Sequence, residues 1–110
     1  MANNFRNYTL KAAGTTAQNA YAVGAGVQAT VIGMTIANIT ASPISANVIL
    51  NGGNITGNVY LVKDATIAPG GALVPVGGDQ KLVLEAGDYL QVNTSIASSG
   101  DVIVSVLEIT

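Results

Sequence analysis

Histidine, cysteine and tryptophan are absent from this chain of 110 residues, and only four Lys and Arg stand against six Asp and Glu. Each absence excludes a class of chemistry. Without cysteine there is no disulfide framework, thiol nucleophile or thiolate zinc site, so stability must come from packing. Without histidine, acid-base work falls to Asp64, Asp79, Glu85, Asp88, Asp101, Glu108, the lysines and the tyrosines. Duplex binding depends on several Lys or Arg neutralising phosphates, and four basic residues spread from Arg6 to Lys81 form no basic patch. No nucleic-acid partner is expected.

Charged residues make up 9% of the chain, where about 25% is usual. The surface is therefore built from Asn, Thr, Ser, Gln and Gly. A net charge of -2 does little to keep copies apart, so self-association is expected. Ala12 to Val62 carries no charge, but Thr35, Asn38, Thr40 and Ser42 interrupt its apolar runs, and a spanning helix needs about 20 predominantly apolar residues. No membrane partner is expected. Nor does the stretch holding Asn3, Asn4, Arg6 and Asn7 contain the apolar core of a secretion signal, and the expectation is a soluble protein made in a cytoplasm.

What the chain has in quantity is β-branched residues and turn formers: 13 Val, 10 Ile and 10 Thr, with 13 Gly and 10 Asn between them. From Gln28 to Thr40, period two places Thr30, Ile32, Met34 and Ile36 on one face and Ala29, Val31, Gly33, Thr35 and Ala37 on the other. Small residues there let another surface approach closely. Ala46 to Asn51 reads as a strand ending at an Asn51-Gly52-Gly53-Asn54 tip, and Val59 to Val62 as a short strand ending at Lys63-Asp64. Ala72 to Val76 follows the turn Pro69-Gly70-Gly71, and Pro75 makes it an edge strand because proline cannot donate to a ladder.

After Gly77-Gly78-Asp79, Leu82 and Leu84 face away from Lys81, Val83 and Glu85. Ala86-Gly87-Asp88 then leads into Tyr89 to Thr94, with Leu90 and Val92 on one face, and the two segments read as a hairpin. Asp101 to Thr110 is apolar on both faces, with Val102, Val104 and Val106 opposite Ile103, Leu107 and Ile109, which implies a central or interface strand.

The expected fold is all-β: an antiparallel sandwich, jelly-roll or immunoglobulin-like, of about seven or eight strands. Residues 12–110 form its single domain. Residues 1–11 hold the single Phe, one Tyr and half the basic residues without a turn signal, and read as an N-terminal arm ordered against a neighbour. Phe5, Arg6 and Tyr8 of that arm, with Val102, Val104 and Val106 of the last strand, are the candidate interface residues.

Candidate chemistry competes with plainer roles. Glu85 with Asp88 or Asp79 offers the paired carboxyls that glycoside hydrolysis needs, but Asp79 and Asp88 follow glycines in turns, where Asp caps its own backbone. Asp64, Asp79, Asp88 and Asp101 are hard oxygen donors suited to calcium, without the dense acidic loop of an EF-hand. Gly24-Ala25-Gly26 and Gly77-Gly78 open no helix and make no nucleotide fingerprint. The Asn-x-Ser/Thr triplets at Asn7, Asn38, Asn54 and Asn93 are chance matches in a chain rich in both residue types. Tyr8, Tyr21, Tyr60 and Tyr89 are either a stacking platform for sugars or half-buried strand residues. No enzyme, metal or cofactor is expected.

The stretch Tyr60-Leu-Val-Lys-Asp-Ala-Thr-Ile-Ala-Pro-Gly-Gly-Ala-Leu-Val74, continued by Gly77-Gly-Asp-Gln-Lys-Leu-Val-Leu-Glu-Ala-Gly-Asp-Tyr-Leu-Gln-Val92, resembles small virion structural proteins of tailed bacteriophages, particularly those of cyanobacteria and other marine bacteria. Asp101 to Thr110 looks like their endings, and Ala29 to Thr40 is similar in rhythm. The resemblance implies a non-enzymatic component located in the virion. A capsid decoration or cement protein is expected first, a homotrimer or other symmetric oligomer bound to the major capsid protein or other virion proteins. A neck, tail or baseplate component is the second expectation, and a carbohydrate-binding host-adhesion module the third. It transfers no site residue, and the low charge and small-residue faces suit such a part independently.

Overall fold

The computed structural model describes residues 2–53, 55–77 and 81–110. Among them the chain forms nine strands: β1 (Asn3–Ala13), β2 (Gln18–Ala22), β3 (Gln28–Asn38), β4 (Ile44–Gly52), β5 (Ile55–Ile67), β6 (Ala72–Val76), β7 (Leu82–Leu84), β8 (Tyr89–Thr94) and β9 (Gly100–Ile109). No helix is long and apolar enough to cross a membrane among these residues. The first sheet runs β1-β9-β3-β6, with β7 also on β3, and the second runs β2-β8-β4-β5. Every pairing is antiparallel.

The pairs β1 with β9, β2 with β8, β3 with β6 and β7, and β4 with β5 are nested. The chain is thus one long hairpin, its tip at β4 and β5, rolled so that successive strand pairs fall in alternate sheets. Of the two expected topologies this is the jelly roll. Proline-bearing β6 lies at the sheet edge as Pro75 requires, and β9 is central between β1 and β3.

The core fills the space between the sheets. Val31, Met34 and Ile36 from β3, Val102, Val104 and Val106 from β9 and Leu84 from β7 in the first sheet, and Val48, Leu90 and Val92 facing them from the second, are fully buried. Each such side chain contributes on the order of 2 kcal/mol relative to exposure. The mostly Val and Ile filling explains why β-branched residues are so numerous.

Three expectations about strand pairing and facing are corrected. Residues 3–13, expected mostly as an arm, are β1, with Asn3 to Leu10 paired residue by residue against Ile109 to Val102. The boundary expected after residue 11 therefore falls inside a strand. Tyr8 and Leu10 pack against the core while Asn7, Thr9 and Lys11 on either side of them face outward, as on any edge strand half in water. Second, the segments around Ala86-Gly87-Asp88 are not a hairpin: β7 joins β3 in the first sheet and β8 joins β2 and β4 in the second. The turn carries the chain across the sandwich. Third, β3 does not keep one face throughout, because a bulge between Val31 and Gly33 shifts its register on β9. Ala29 and Val31 face the core before it, Met34 and Ile36 after it.

Two other irregularities are held by side chains. β5 continues through Lys63-Asp64 instead of ending there. Asp64 takes a left-handed φ of 52°, and its N–H donates to Asn47 Oδ1 at 2.8 Å. At the end of β1, Ala12 has a φ of 53° and donates its N–H to Asp101 Oδ1 at 2.8 Å. Of the turns expected, Asn54 and Gly78–Asp79 lie outside the described residues.

Candidate interaction surface

Strand alternation puts a second apolar set on the outside of the first sheet. Phe5 on β1 is opposite Leu107 on β9, Leu107 is opposite Thr30 on β3, and Thr30 is opposite Val83 on β7. A second row runs Asn7, Ser105, Gly33, and a third Thr9, Ile103, Thr35. Phe5 is 76% exposed, Val83 68%, Val74 on β6 60% and Ile103 51%. On β1, β9 and β3 no outward side chain between the first and third rows is charged, while on the β7 side Lys81 and Glu85 are exposed on either side of Val83. Lys11 and Asp101, beyond the third row, pair with each other at 3.4 Å. Large apolar groups gathered this way on one face make it the candidate interaction surface of the chain.

Of the six candidate interface residues, the structure puts only Phe5 on this surface. Val102, Val104 and Val106 are buried in the chain's own core and cannot meet a partner. Their outward neighbours Ile103 and Leu107 occupy the place they were expected to take. The period-two pattern carried that signal, as it did for Val83 opposite Leu82 and Leu84. Because β9 is apolar on both sides, nothing in its sequence says which side faces in.

Arg6 and Tyr8 meet at the far end of the sandwich, where Glu108 follows Val106 on the inner face of β9. Glu108 Oε1 pairs with Arg6 Nε at 3.0 Å, and Oε2 accepts from Tyr8 Oη at 3.1 Å and Tyr21 Oη at 2.5 Å. The two rings stack with centroids 4.7 Å apart, tilted by 41°. Burial first, and then the bond to the Glu108 carboxylate, raise both tyrosine hydroxyls above their ordinary pKa. The cluster ties β1 and β9 in one sheet to β2 in the other and is a structural clip.

Tyr8 and Tyr21 are therefore no sugar platform. Tyr60 and Tyr89 lie instead on the outside of the second sheet. There Tyr89 is opposite Asn51, and the adjacent row runs Asn19, Gln91, Ile49, Tyr60, followed by Asn93 opposite Asn47. This face is rich in amides, and the Lys63 ammonium sits 4.9 Å from the centre of the Tyr60 ring. The sandwich thus presents an apolar face on one side and an amide face on the other.

The carboxyls are dispersed. Asp88 is buried, and its Oδ2 accepts the Glu85 backbone N–H at 3.0 Å, which caps the turn between sheets. Asp101 is held below the usual carboxylate range, chiefly by the Ala12 N–H and then by Lys11. Among the described residues no three His, Cys, Asp or Glu come together as a metal site, and Asp79 lies outside them. Asn38 is buried, donating its amide to Ser42 O at 2.8 Å and Ile67 O at 3.0 Å, so that triplet is a structural one.

The chain matches no protein-family model, no curated protein and no solved structure.

Proposed function

We propose that this protein is a non-enzymatic structural component of a tailed-phage virion, a capsid decoration or cement protein that joins neighbours in the shell through uncharged sheet surface. The observation that carries the reading is the outer face of the first sheet, where Phe5, Val74, Val83 and Ile103 are exposed together on a rigid jelly roll. Burying such a face contributes about 25 cal/mol per Å² of apolar area. Repetition at every symmetric position lets many modest joints resist internal pressure together. Jelly rolls serve in viral capsid and lectin domains alike, so the fold is compatible with this role without assigning it.

Mass spectrometry of disassembled virions, with cryo-microscopy of whole particles, tests the proposal. Hundreds of copies per particle place the protein in the shell, and a few to a few tens favour the neck, tail or baseplate. Its absence from particles ends the proposal. The amide face favours a second reading, a carbohydrate-binding adhesion module, since Tyr60 and Tyr89 share it with Asn47, Asn51, Gln91 and Asn93. A glycan-array signal lost on Tyr60→Ala or Tyr89→Ala supports that reading, and a blank array removes it.

A further inference from the structure

We infer that two copies of this chain pair face to face through the outer surface of the first sheet, about a dyad that lies between β9 and β3 and runs parallel to them. The inference deepens the reading of the chain as an assembling part and names the partner on this face as a second copy.

The shape of the face selects that partner. In each of the three rows the β9 side chain is larger than its β3 neighbour: Leu107 beside Thr30, Ser105 beside Gly33, Ile103 beside Thr35. A dyad between these strands lays β9 of one copy over β3 of the other, so large meets small in every row. It also lays Phe5, at one end of its row, over Val83 at the other end. The bulge of β3 adds a knob and a hollow. Ile32 borders a shallow depression of about 250 Å³ with Phe5, Arg6, Asn7, Ser105 and Val106, where Arg6 is paired with Glu108, and the dyad brings the second copy's Ile32 over it. A dyad perpendicular to the strands along the first row instead stacks Phe5 on Phe5 and Leu107 on Leu107, large on large.

Charge and area agree with a self-pair. The three rows carry no charged residue, Lys81 and Glu85 beside Val83 stand at the edge of the sheet, and the chain's net charge of -2 gives copies little mutual repulsion. The strands stay aligned across the interface, one of the two arrangements in which sheets pack face to face. Four strand positions at about 4.8 Å and ten residues at about 3.3 Å, the whole length of β9 with the Lys11–Asp101 pair at one end, make a face of about 600 Å². A pair then buries about 1,200 Å², the lower end of specific interfaces.

Sedimentation equilibrium over a concentration series tests the pair. The expected particle has twice the 11.0 kDa chain mass. Val83→Glu, at a site 68% exposed and outside the core, is expected to weaken it about a hundredfold or more, since an unpaired charge would be buried. Tyr60→Ser on the opposite face leaves it unchanged. Because the chain has no cysteine, the geometry can be tested by crosslinking. Phe5→Cys mixed with Val83→Cys should give the mixed disulfide-linked dimer on oxidation, and Phe5→Cys alone should not. A single-chain mass at every concentration, a trimer, a dimer indifferent to Val83→Glu, or efficient crosslinking of Phe5→Cys to itself would each overturn the inference. Detection of a monomeric protein in virions would overturn the pair and leave the virion role standing; a pair absent from virions would do the reverse.

Discussion

Tyr21 on β2 donates its hydroxyl to Glu108 on β9 at 2.5 Å, and this bond joins the two sheets at the end where Arg6 and Tyr8 of the edge strand also converge. Tyr21 is 3% exposed, so the bond is shielded from water on the tyrosine side. A hydrogen bond to a charged group contributes about 1.5–3 kcal/mol. Tyr21→Phe should lower unfolding stability by that amount in urea titrations, and Tyr8→Phe by less, since Tyr8 is only half-buried and its bond is longer. Glu108→Ala should exceed both because it strips a partner from three side chains at once. Equal costs for the two tyrosine variants would contradict the assignment of Tyr21 as the main tie.

The same cluster fixes the response to alkali. Both tyrosine hydroxyls hold their protons more tightly in the folded chain than in the unfolded one. Above about pH 10, the ordinary tyrosine value, the unfolded chain releases protons that the folded chain keeps, so stability falls as pH rises. Below that value the two states are equally protonated at these sites and the contribution is complete. Urea midpoints should decline above about pH 10 in the native chain and decline less in Tyr8→Phe/Tyr21→Phe. Parallel declines would remove the two hydroxyls as the cause.

At the opposite end of β1, Ala12 sits in the left-handed region with a φ of 53° while Asp101 holds its N–H. That conformation costs a non-glycine residue about 1–2 kcal/mol. Ala12→Gly should raise the thermal midpoint by part of that, after the loss from glycine's greater unfolded freedom. The Asp101 pKa is lowered on folding, so its contribution is present above the ordinary carboxylate range and is lost as pH falls below it. Asp101→Asn should be less stable at neutral pH and lose less on acidification, as read by midpoints at neutral and acid pH.

These residues also show where sequence reasoning stopped. Alternation oriented β7 and β8 correctly because Leu82, Leu84, Leu90 and Val92 are interleaved with polar or exposed residues. It did not tell which sheet each strand joins, since Ala86-Gly87-Asp88 serves a hairpin and a crossing between sheets equally well. In β3 the bulge after Val31 exchanges the faces halfway, and an extra residue leaves no mark on a pattern made of Ile, Val, Thr and Gly. The edge strand β1 was hidden by its own polarity. Asn3, Asn4, Arg6 and Asn7 look like a solvated arm until β9 supplies the ladder. The outer face was legible as a set of residues, Ile103 and Leu107 opposite the valines, but not as an outside.

Gly52, at the end of β4, lies against Asp88 in the turn that carries the chain from β7 to β8. A Cβ added at Gly52 would stand 2.7 Å from Asp88 Cα, closer than such atoms approach one another. Because that obstacle is backbone, it cannot be relieved by a rotamer change, and the hairpin tip or the β7–β8 turn has to shift. Overpacking of this kind costs about 1–3 kcal/mol. Gly52→Ala should therefore destabilise the chain by that amount in urea titrations, while Gly53→Ala, with nothing within 4 Å of its added Cβ, should change little. The decisive comparison is Gly52→Ala in an Asp88→Ala background. The Asp88 side chain also crowds the site, but the Cα remains, so most of the cost should persist there. Its disappearance would mean that only the carboxylate stood in the way and that the close backbone approach of β4 to the turn is not what requires glycine.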